Sequence, residues 1–242
     1  MNSLTKQNKP KFEILSKLSL LQNLASFFIS KTNPAIIHNI EKYIAIQKIV
    51  FLNSSEHQMG DYLEFGVYTG SSFCHAIRCV KECEVFNPKQ KLTNFFGFDS
   101  FEGFGELEEN DKHPFYIDQN FCTNFNKVKK RVDKTIGKWS KSTLIKGFFD
   151  DTLLVDPKEY GISKARIVFI DSDTYTSSKS AFDFIKDIVK PGTHIILDDY
   201  FSYQGNPQKG VACAFDEFID QSSLSYRKIL DYGVGGVAIV LH

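Results

Sequence analysis

Two apolar runs that each end in carboxylates constrain this chain more than any other feature. Ile167-Val168-Phe169-Ile170 leads directly into Asp171-Ser172-Asp173, and Ile195-Ile196-Leu197 leads into Asp198-Asp199. Short, near-continuous β-branched and aromatic runs are strands covered on both faces, the mark of a parallel sheet. Between the two runs, Ser177 to Val189 places Ala181, Ile185 and Ile188 at helical spacing and is stopped by Pro191-Gly192. Strand, helix and strand make one βαβ unit, and further runs at Tyr62–Phe65, Asn94–Phe98 and Ser142–Ile145 extend the same parallel sheet. Tyr226–Leu230 and Val237–Leu241 are separated by a few residues that include Gly233, Gly235 and Gly236, too few for a helical crossover. They pair as an antiparallel hairpin. The expected fold class is α/β, Rossmann-like, with a mostly parallel seven-stranded sheet closed by an antiparallel C-terminal hairpin.

The 242 residues suit one such sheet with an added preface. Up to about Phe51 the apolar residues fall at helical spacing, Leu15, Leu18, Leu21 and Leu24, then Ile36, Ile40 and Ile44. The expected organisation is a helical extension over 1–55 packed on a core of 56–242. Basic and acidic residues balance at 29 each, which gives no electrostatic hold on nucleic acid or an anionic membrane and favours a small-molecule partner. The apolar stretch Leu18 to Ile29 is interrupted by Gln22 and Asn23 and is too short for a transmembrane segment. Cys74, Cys79, Cys83, Cys122 and Cys213 are odd in number and contain no C-x-x-C, so neither a disulfide framework nor a structural zinc site is expected, and a cytoplasmic location fits. Aromatic residues among the first 50 are available for a homo-oligomer interface.

The first strand feeds Gly66-Val67-Tyr68-Thr69-Gly70-Ser71-Ser72, a glycine turn that opens a helix. In open α/β sheets ligands bind at the carboxyl ends of strands, a turn without side chains lets a ligand reach the backbone, and a helix N-terminus offers free N–H groups to an anion. Ser72 is the expected anion contact. Asp99 ends the next strand, placed to accept hydrogen bonds from the ribose hydroxyls of a nucleoside. It lies 33 residues beyond Gly66, longer than the ~20 of a nicotinamide dinucleotide fingerprint, and the turn is not G-x-G-x-x-G. After the third strand, Phe149 and Asp150 are expected to stack on and hydrogen-bond an adenine.

Adjacent parallel strands lie about 4.8 Å apart, so the carboxylates that end the two founding runs must converge. Gathering Asp171, Asp198 and Asp199 without a cation would cost on the order of several kcal/mol or force protonation. A hard divalent ion removes that penalty, and an all-oxygen set with no adjacent His or Cys points to Mg²⁺, with Mn²⁺ and Ca²⁺ as alternatives, rather than zinc. Asp173 is a ligand, an orienting group or a base.

These motifs and their order resemble the macrocin O-methyltransferases (TylF type), which use S-adenosylmethionine and Mg²⁺ to methylate sugar hydroxyls. The likeness runs over roughly residues 60 to 242, about three quarters of the chain. It rests on Glu64-Phe65-Gly66-Val67-Tyr68-Thr69-Gly70, Asp99-Ser100-Phe101-Glu102-Gly103-Phe104, Asp171-Ser172-Asp173-Thr174-Tyr175, Asp198-Asp199-Tyr200 and Phe215-Asp216-Glu217-Phe218. The resemblance implies a class I methyltransferase fold, cofactor contacts at Glu64, Gly66, Ser72 and Asp99, and metal ligation by Asp171, Asp198 and Asp199. Tyr68, Gly70, Ser100, Phe149 and Asp150 complete the expected cofactor set, and a carbohydrate-bearing small molecule is the expected hydroxyl acceptor. In the more distantly similar catechol O-methyltransferases a lysine base would fall near Thr174, so the base here is expected to be Asp171 or Asp173. His113 is another candidate, within a stretch from Glu102 to Tyr116 that reads as a mobile, solvated lid with Glu106, Glu108 and Glu109 as surface charges.

Two other classes compete. Asp171-Ser172-Asp173 is also the D-x-D pattern of a glycosyltransferase using a nucleotide sugar, although that leaves Gly66–Gly70 and Asp198-Asp199 without a role. Tyr160-Gly161-Ile162-Ser163-Lys164 has the Tyr-x-x-x-Lys spacing of a short-chain dehydrogenase, which needs a continuous helix that Gly161 and Pro157 argue against.

Overall fold

The computed structural model describes residues 18–116 and 121–242. The first part of the helical preface, Leu15 included, lies outside the described residues. The chain divides into two compact units, residues 1–37 and 38–242. In the first, helix α1 (Ser19–Lys31) is followed by Thr32-Asn33, and the Asn33 carboxamide oxygen accepts a bond from the Ala35 N–H, a local cap that starts helix α2 (Pro34–Ser55). Most of α2 belongs to the second unit, the split between the units falling at 37/38. The physical reason is the burial of Lys42, Ala45, Ile46, Ile49, Val50 and Asn53 along one stripe of α2. Ile40 and Ile44, which carried the helical spacing in the sequence, are 52% and 44% exposed. The helix is where its periodicity placed it, and it buries the adjacent face.

The second unit is built on one seven-stranded sheet: β1 (Asp61–Phe65), β2 (Phe95–Asp99), β3 (Ser142–Lys146), β4 (Ala165–Ile170), β5 (His194–Leu197), β6 (Tyr226–Tyr232) and β7 (Gly236–Leu241). Its order is β3-β2-β1-β4-β5-β7-β6, with the first five strands parallel and β7 antiparallel to both β5 and β6. This is the expected Rossmann-like α/β fold. β1, β4 and β5 are buried along their whole length because helices cover both faces, which is why their residues read as unbroken apolar runs. Alternate strand residues feed two cores. Leu63, Phe65, Val168, Ile170, Ile195 and Leu197 pack with α6 (Tyr175–Ile185) and α7 (Gly210–Gln221). Tyr62, Phe95, Ile167, Phe169 and Ile196 face α2, α3 (Ser71–Glu82) and α4 (Phe125–Ile136). A short helix, α5 (Phe149–Thr152), follows β3.

The chain leaves β1 toward β2 and β3 on one side and returns to β4 and β5 on the other. The reversal lies between β1 and β4, and in sheets of this kind the crevice at the carboxyl ends of those strands is where ligands sit. Tyr160 lies in a 3₁₀ turn, Pro157–Tyr160, that ends at Gly161 with φ 80°, and its hydroxyl donates to the Thr152 carbonyl. No helical face joins it to Lys164, so the Tyr-x-x-x-Lys spacing is coincidental. Among the described residues no helix is long and apolar enough to cross a membrane, and the cysteines form no disulfide.

Candidate active site

At the end of β1 the backbone turns sharply because β4 leaves no room beside it. Gly66 has φ 92°, and a Cβ there would overlap the Asp171 carbonyl oxygen. Gly70, the N-cap of α3 with φ 72°, would bring a Cβ to 3.0 Å from Val128 Cγ1 of α4. Both glycines are therefore demanded by the chain's own packing, a stronger constraint than the ligand approach inferred from sequence. Tyr68 also lies at positive φ, 48°, with its ring 5.9 Å from Phe121.

Asp99 ties this turn to β2. Its Oδ2 accepts the Val67 and Tyr68 N–H groups at 2.7 Å each, and its Oδ1 accepts the Phe101 N–H at 2.5 Å. Burial pushes its pKa up, and the three amides offset only part of that rise. A carboxylate has about four lone-pair sites, so one position on Oδ1 is left for a hydroxyl. Ser100 has turned its hydroxyl inward to the Gly103 carbonyl at 2.6 Å, and the Ser100 oxygen also accepts the Glu102 N–H.

Glu64 is fully buried, accepting the Tyr62 hydroxyl at 2.5 Å and the Ser72 hydroxyl at 2.6 Å. Burial raises its pKa to about 7 despite those two donors. Glu64 and Ser72 thus spend their side chains on each other, and what Ser72 has to offer an anion is its helix-terminal N–H. After β3, Phe149 packs edge-on against Phe65 at 6.0 Å and joins the core, while Asp150 is exposed. The exposed ring of this turn is its neighbour Phe148, 38% accessible and lying against Gly105. A one-residue difference in which ring faces inward is invisible to composition.

The carboxylates after β4 and β5 converge as the strand spacing requires. Parallel pairing sets Asp171 N–H on the Phe65 carbonyl and Asp198 N–H on the Ile170 carbonyl. Ligand oxygens of Asp171, Asp173 and Asp199 lie within 4.8 Å of one another, all three side chains partly accessible. Burial, then the neighbouring carboxylates, raise the pKa values of Asp171 and Asp173 well above the ordinary range. A cation among them would offset both effects. Asp173 has φ 62°, a left-handed backbone that costs a non-glycine residue roughly 1 kcal/mol or more and is kept where the surroundings enforce it. Asp199 accepts the Tyr116 hydroxyl at 3.1 Å and the Ser202 hydroxyl at 3.2 Å.

Asp198 adjoins Asp171 and differs from the three in drawing further partners from α2 and the C-terminal hairpin. The Lys42 ammonium lies 2.6 Å from its Oδ2 and 3.0 Å from Asp171 Oδ2, His38 Nε2 is 3.1 Å from Asp198 Oδ2, and the Tyr232 hydroxyl donates to Oδ1 at 2.7 Å. His38 Nδ1 accepts the Val234 N–H, which fixes the neutral imidazole as the Nε2–H tautomer. Glu41 accepts the Gly233 N–H. Burial alone would lower the Lys42 pKa, but Asp171 and Asp198 hold it above its ordinary value. Burial likewise opposes ionisation of Asp198, and Lys42 and His38 outweigh it, keeping that carboxyl below its usual range. Sequence reasoning missed Lys42 and His38. The available signal was a lysine on the α2 face that runs through Ala45, Ile46, Ile49 and Asn53, where a charge needs a partner.

The stretch from Glu102 to Tyr116 is anchored, contrary to its reading as a mobile lid. Asp111, 2% exposed, accepts the Tyr175 and Thr176 N–H groups at the start of α6, and its carbonyl accepts the Tyr203 hydroxyl. His113 lies between Tyr116 and Tyr203, tilted against the first with ring centroids 4.4 Å apart and edge-on to the second at 5.1 Å. Glu106, Glu108 and Glu109 are exposed, as surface charges should be.

The structure of the O-methyltransferase NovP is similar to this chain with a TM-score of 0.67 at 20% identity, over 83% of this chain and 79% of that one. CalS11, described as a calicheamicin methyltransferase, matches with a TM-score of 0.62 at 17% identity over 98% and 87%. Its apo form, described as a TDP-rhamnose 3'-O-methyltransferase, gives 0.58 at 14% identity over 98% and 88%. At these identities the likeness establishes the fold. No curated protein matches the chain. A methyltransferase-domain family model matches residues 63–200, more than half of the chain, taking in both the glycine turn and the Asp198-Asp199 pair that a glycosyltransferase leaves without a role. The chain belongs to the methyltransferase domain family.

Proposed function

We propose that the chain is a macrocin-type O-methyltransferase that moves the methyl group of S-adenosylmethionine to a hydroxyl of a carbohydrate-bearing small molecule, assisted by Mg²⁺. The observation that carries this reading is the meeting of Asp171, Asp173 and Asp199 within 4.8 Å, at the carboxyl ends of β4 and β5, beside the Gly66–Gly70 turn. The three oxygens suit a hard cation, with waters and the acceptor filling the remaining positions. Asp198 is the exception among the expected ligands, because Lys42 matches its charge and His38 and Tyr232 hydrogen-bond to it. The sugar acceptor is supported by the fold shared with CalS11, a cytoplasmic location by a cysteine set without disulfides, and a homo-oligomer by the aromatic residues of the first 50.

In this reading the Ser71 and Ser72 N–H groups hold the cofactor carboxylate, and Asp99 Oδ1 receives a ribose hydroxyl. Glu64 acts from below, by fixing Ser72. Gly66, Tyr68, Gly70 and Ser100 shape the turn, and Phe148 with Asp150 borders the adenine in place of Phe149. A bound Mg²⁺ supplies a Lewis acid that lowers the pKa of an acceptor hydroxyl. Asp173 accepts the proton, since Asp171 already spends Oδ2 on Lys42. Alignment of methyl and acceptor contributes up to roughly 7–11 kcal/mol in favourable cases.

The test is calorimetric titration of the full chain with S-adenosylmethionine and S-adenosylhomocysteine, with Mg²⁺ or EDTA present, beside Asp99→Ala. Saturable binding that is weakened at least tenfold in Asp99→Ala supports the reading. A folded protein that binds neither compound sinks it.

A further inference from the structure

Lys42 and a divalent cation draw on the same carboxylate charge. Lys42 is 8% exposed, its ammonium 5.7 Å from the Phe169 ring centroid and in contact with one oxygen of Asp171 and one of Asp198. Asp171 is also a member of the three-carboxylate group. Four aspartates therefore crowd the ends of β4 and β5, and the cation that the chain itself supplies to them comes from α2. A buried ammonium is costly to desolvate, and it is held here because the carboxylates without it would be costlier. Its placement has a consequence for any metal, since a positive charge within contact distance of a ligand carboxylate repels a second cation and weakens its binding.

Resting on the metal reading above, we propose that Lys42 is an internal competitor of the metal: its ammonium neutralises Asp171 and Asp198 in the metal-free protein and lowers the affinity of the cluster for a divalent cation. Folding then does not wait for the ion, and the ion exchanges readily. A purely structural ion pair would leave metal affinity unchanged on removal, and a residue that aims ligands at the metal would weaken it.

The probe is Mn²⁺, its binding followed by electron paramagnetic resonance of the free ion and by calorimetry on the full chain. Lys42→Met removes charge and donors, Lys42→Gln keeps N–H donors without charge, and Lys42→Arg keeps the charge. The expected result is at least tenfold tighter Mn²⁺ binding in Lys42→Met and Lys42→Gln, with Lys42→Arg within about threefold of the parent. The uncharged variants should also have a lower thermal midpoint without metal and a larger gain on adding it. A variant that folds only with Mn²⁺ supports the proposal; unchanged or weaker binding overturns it, and so does a variant that stays unfolded at saturating Mn²⁺. S-adenosylmethionine titrations on the same samples report the methyltransferase reading separately. Intact cofactor binding with no Mn²⁺ response overturns the competition alone, and a tighter Mn²⁺ response without cofactor binding overturns methyl transfer alone.

Discussion

Asp173 carries two costs at once, a left-handed backbone and a carboxyl crowded by Asp199 and Asp171. Residues kept under such strain are those whose side chain is needed where it stands. Asp173→Asn keeps the shape, suits positive φ better and removes the repulsion, so the metal-free variant should unfold at a higher denaturant midpoint, by about 1 kcal/mol. Methyl transfer, followed as S-adenosylhomocysteine release, should fall by about 100-fold or more, the scale of a lost general base. A variant at once less stable and fully active would remove Asp173 from the mechanism. The aspartates after β4 and β5 were legible in the sequence because an apolar run that stops at an acid marks the point where a buried strand reaches solvent or a ligand. Lys42 was not, since 129 residues separate it from Asp171 and nothing local tells a helix which face will be covered.

Among the elements, β1 and β4 set the tightest tolerance. A Cβ at Gly66 would overlap the Asp171 carbonyl in a register fixed by the Asp171 N–H to Phe65 carbonyl bond, so neither strand can yield without breaking the pairing. Gly66→Ala is expected to cost more than about 4 kcal/mol and to leave the chain without native circular dichroism. Gly70→Ala meets a Val128 methyl at 3.0 Å, on a helix that can shift, and should lose about 1–2 kcal/mol while remaining folded. Equal effects at the two positions would contradict this assignment. The glycines were legible as a turn, but the reason for them is a neighbouring strand and a neighbouring helix. The hairpin was legible for a simpler reason, that three residues between β6 and β7 cannot make a crossover.

For the whole molecule, two buried groups shape stability against pH in opposite directions. Glu64, raised to about 7, stabilises the fold below its unfolded pKa of 4.5, and that contribution is lost as pH rises through 7. His194, 1% exposed and lowered by burial to about 4, works the other way: its contribution is complete above 6.5 and is lost as pH falls through 4. Each shift corresponds to about 3 kcal/mol, and between 4.5 and 6.5 the two slopes cancel. Relative to the parent, Glu64→Gln should gain stability as pH rises from 4.5 to 7, and His194→Gln as pH falls from 6.5 to 4. Urea unfolding across that range is the measurement, and parallel profiles for all three proteins would refute it. What the sequence by itself determined was the order of strands and helices, the antiparallel end of the sheet and the convergence of acids at one rim, because strand burial and strand spacing are local rules. Which helix face is covered, which aromatic ring turns inward and which cation meets Asp198 were decided only by the tertiary structure, because each depends on a partner brought in from more than a hundred residues away or on the last contest for space in a packed interior.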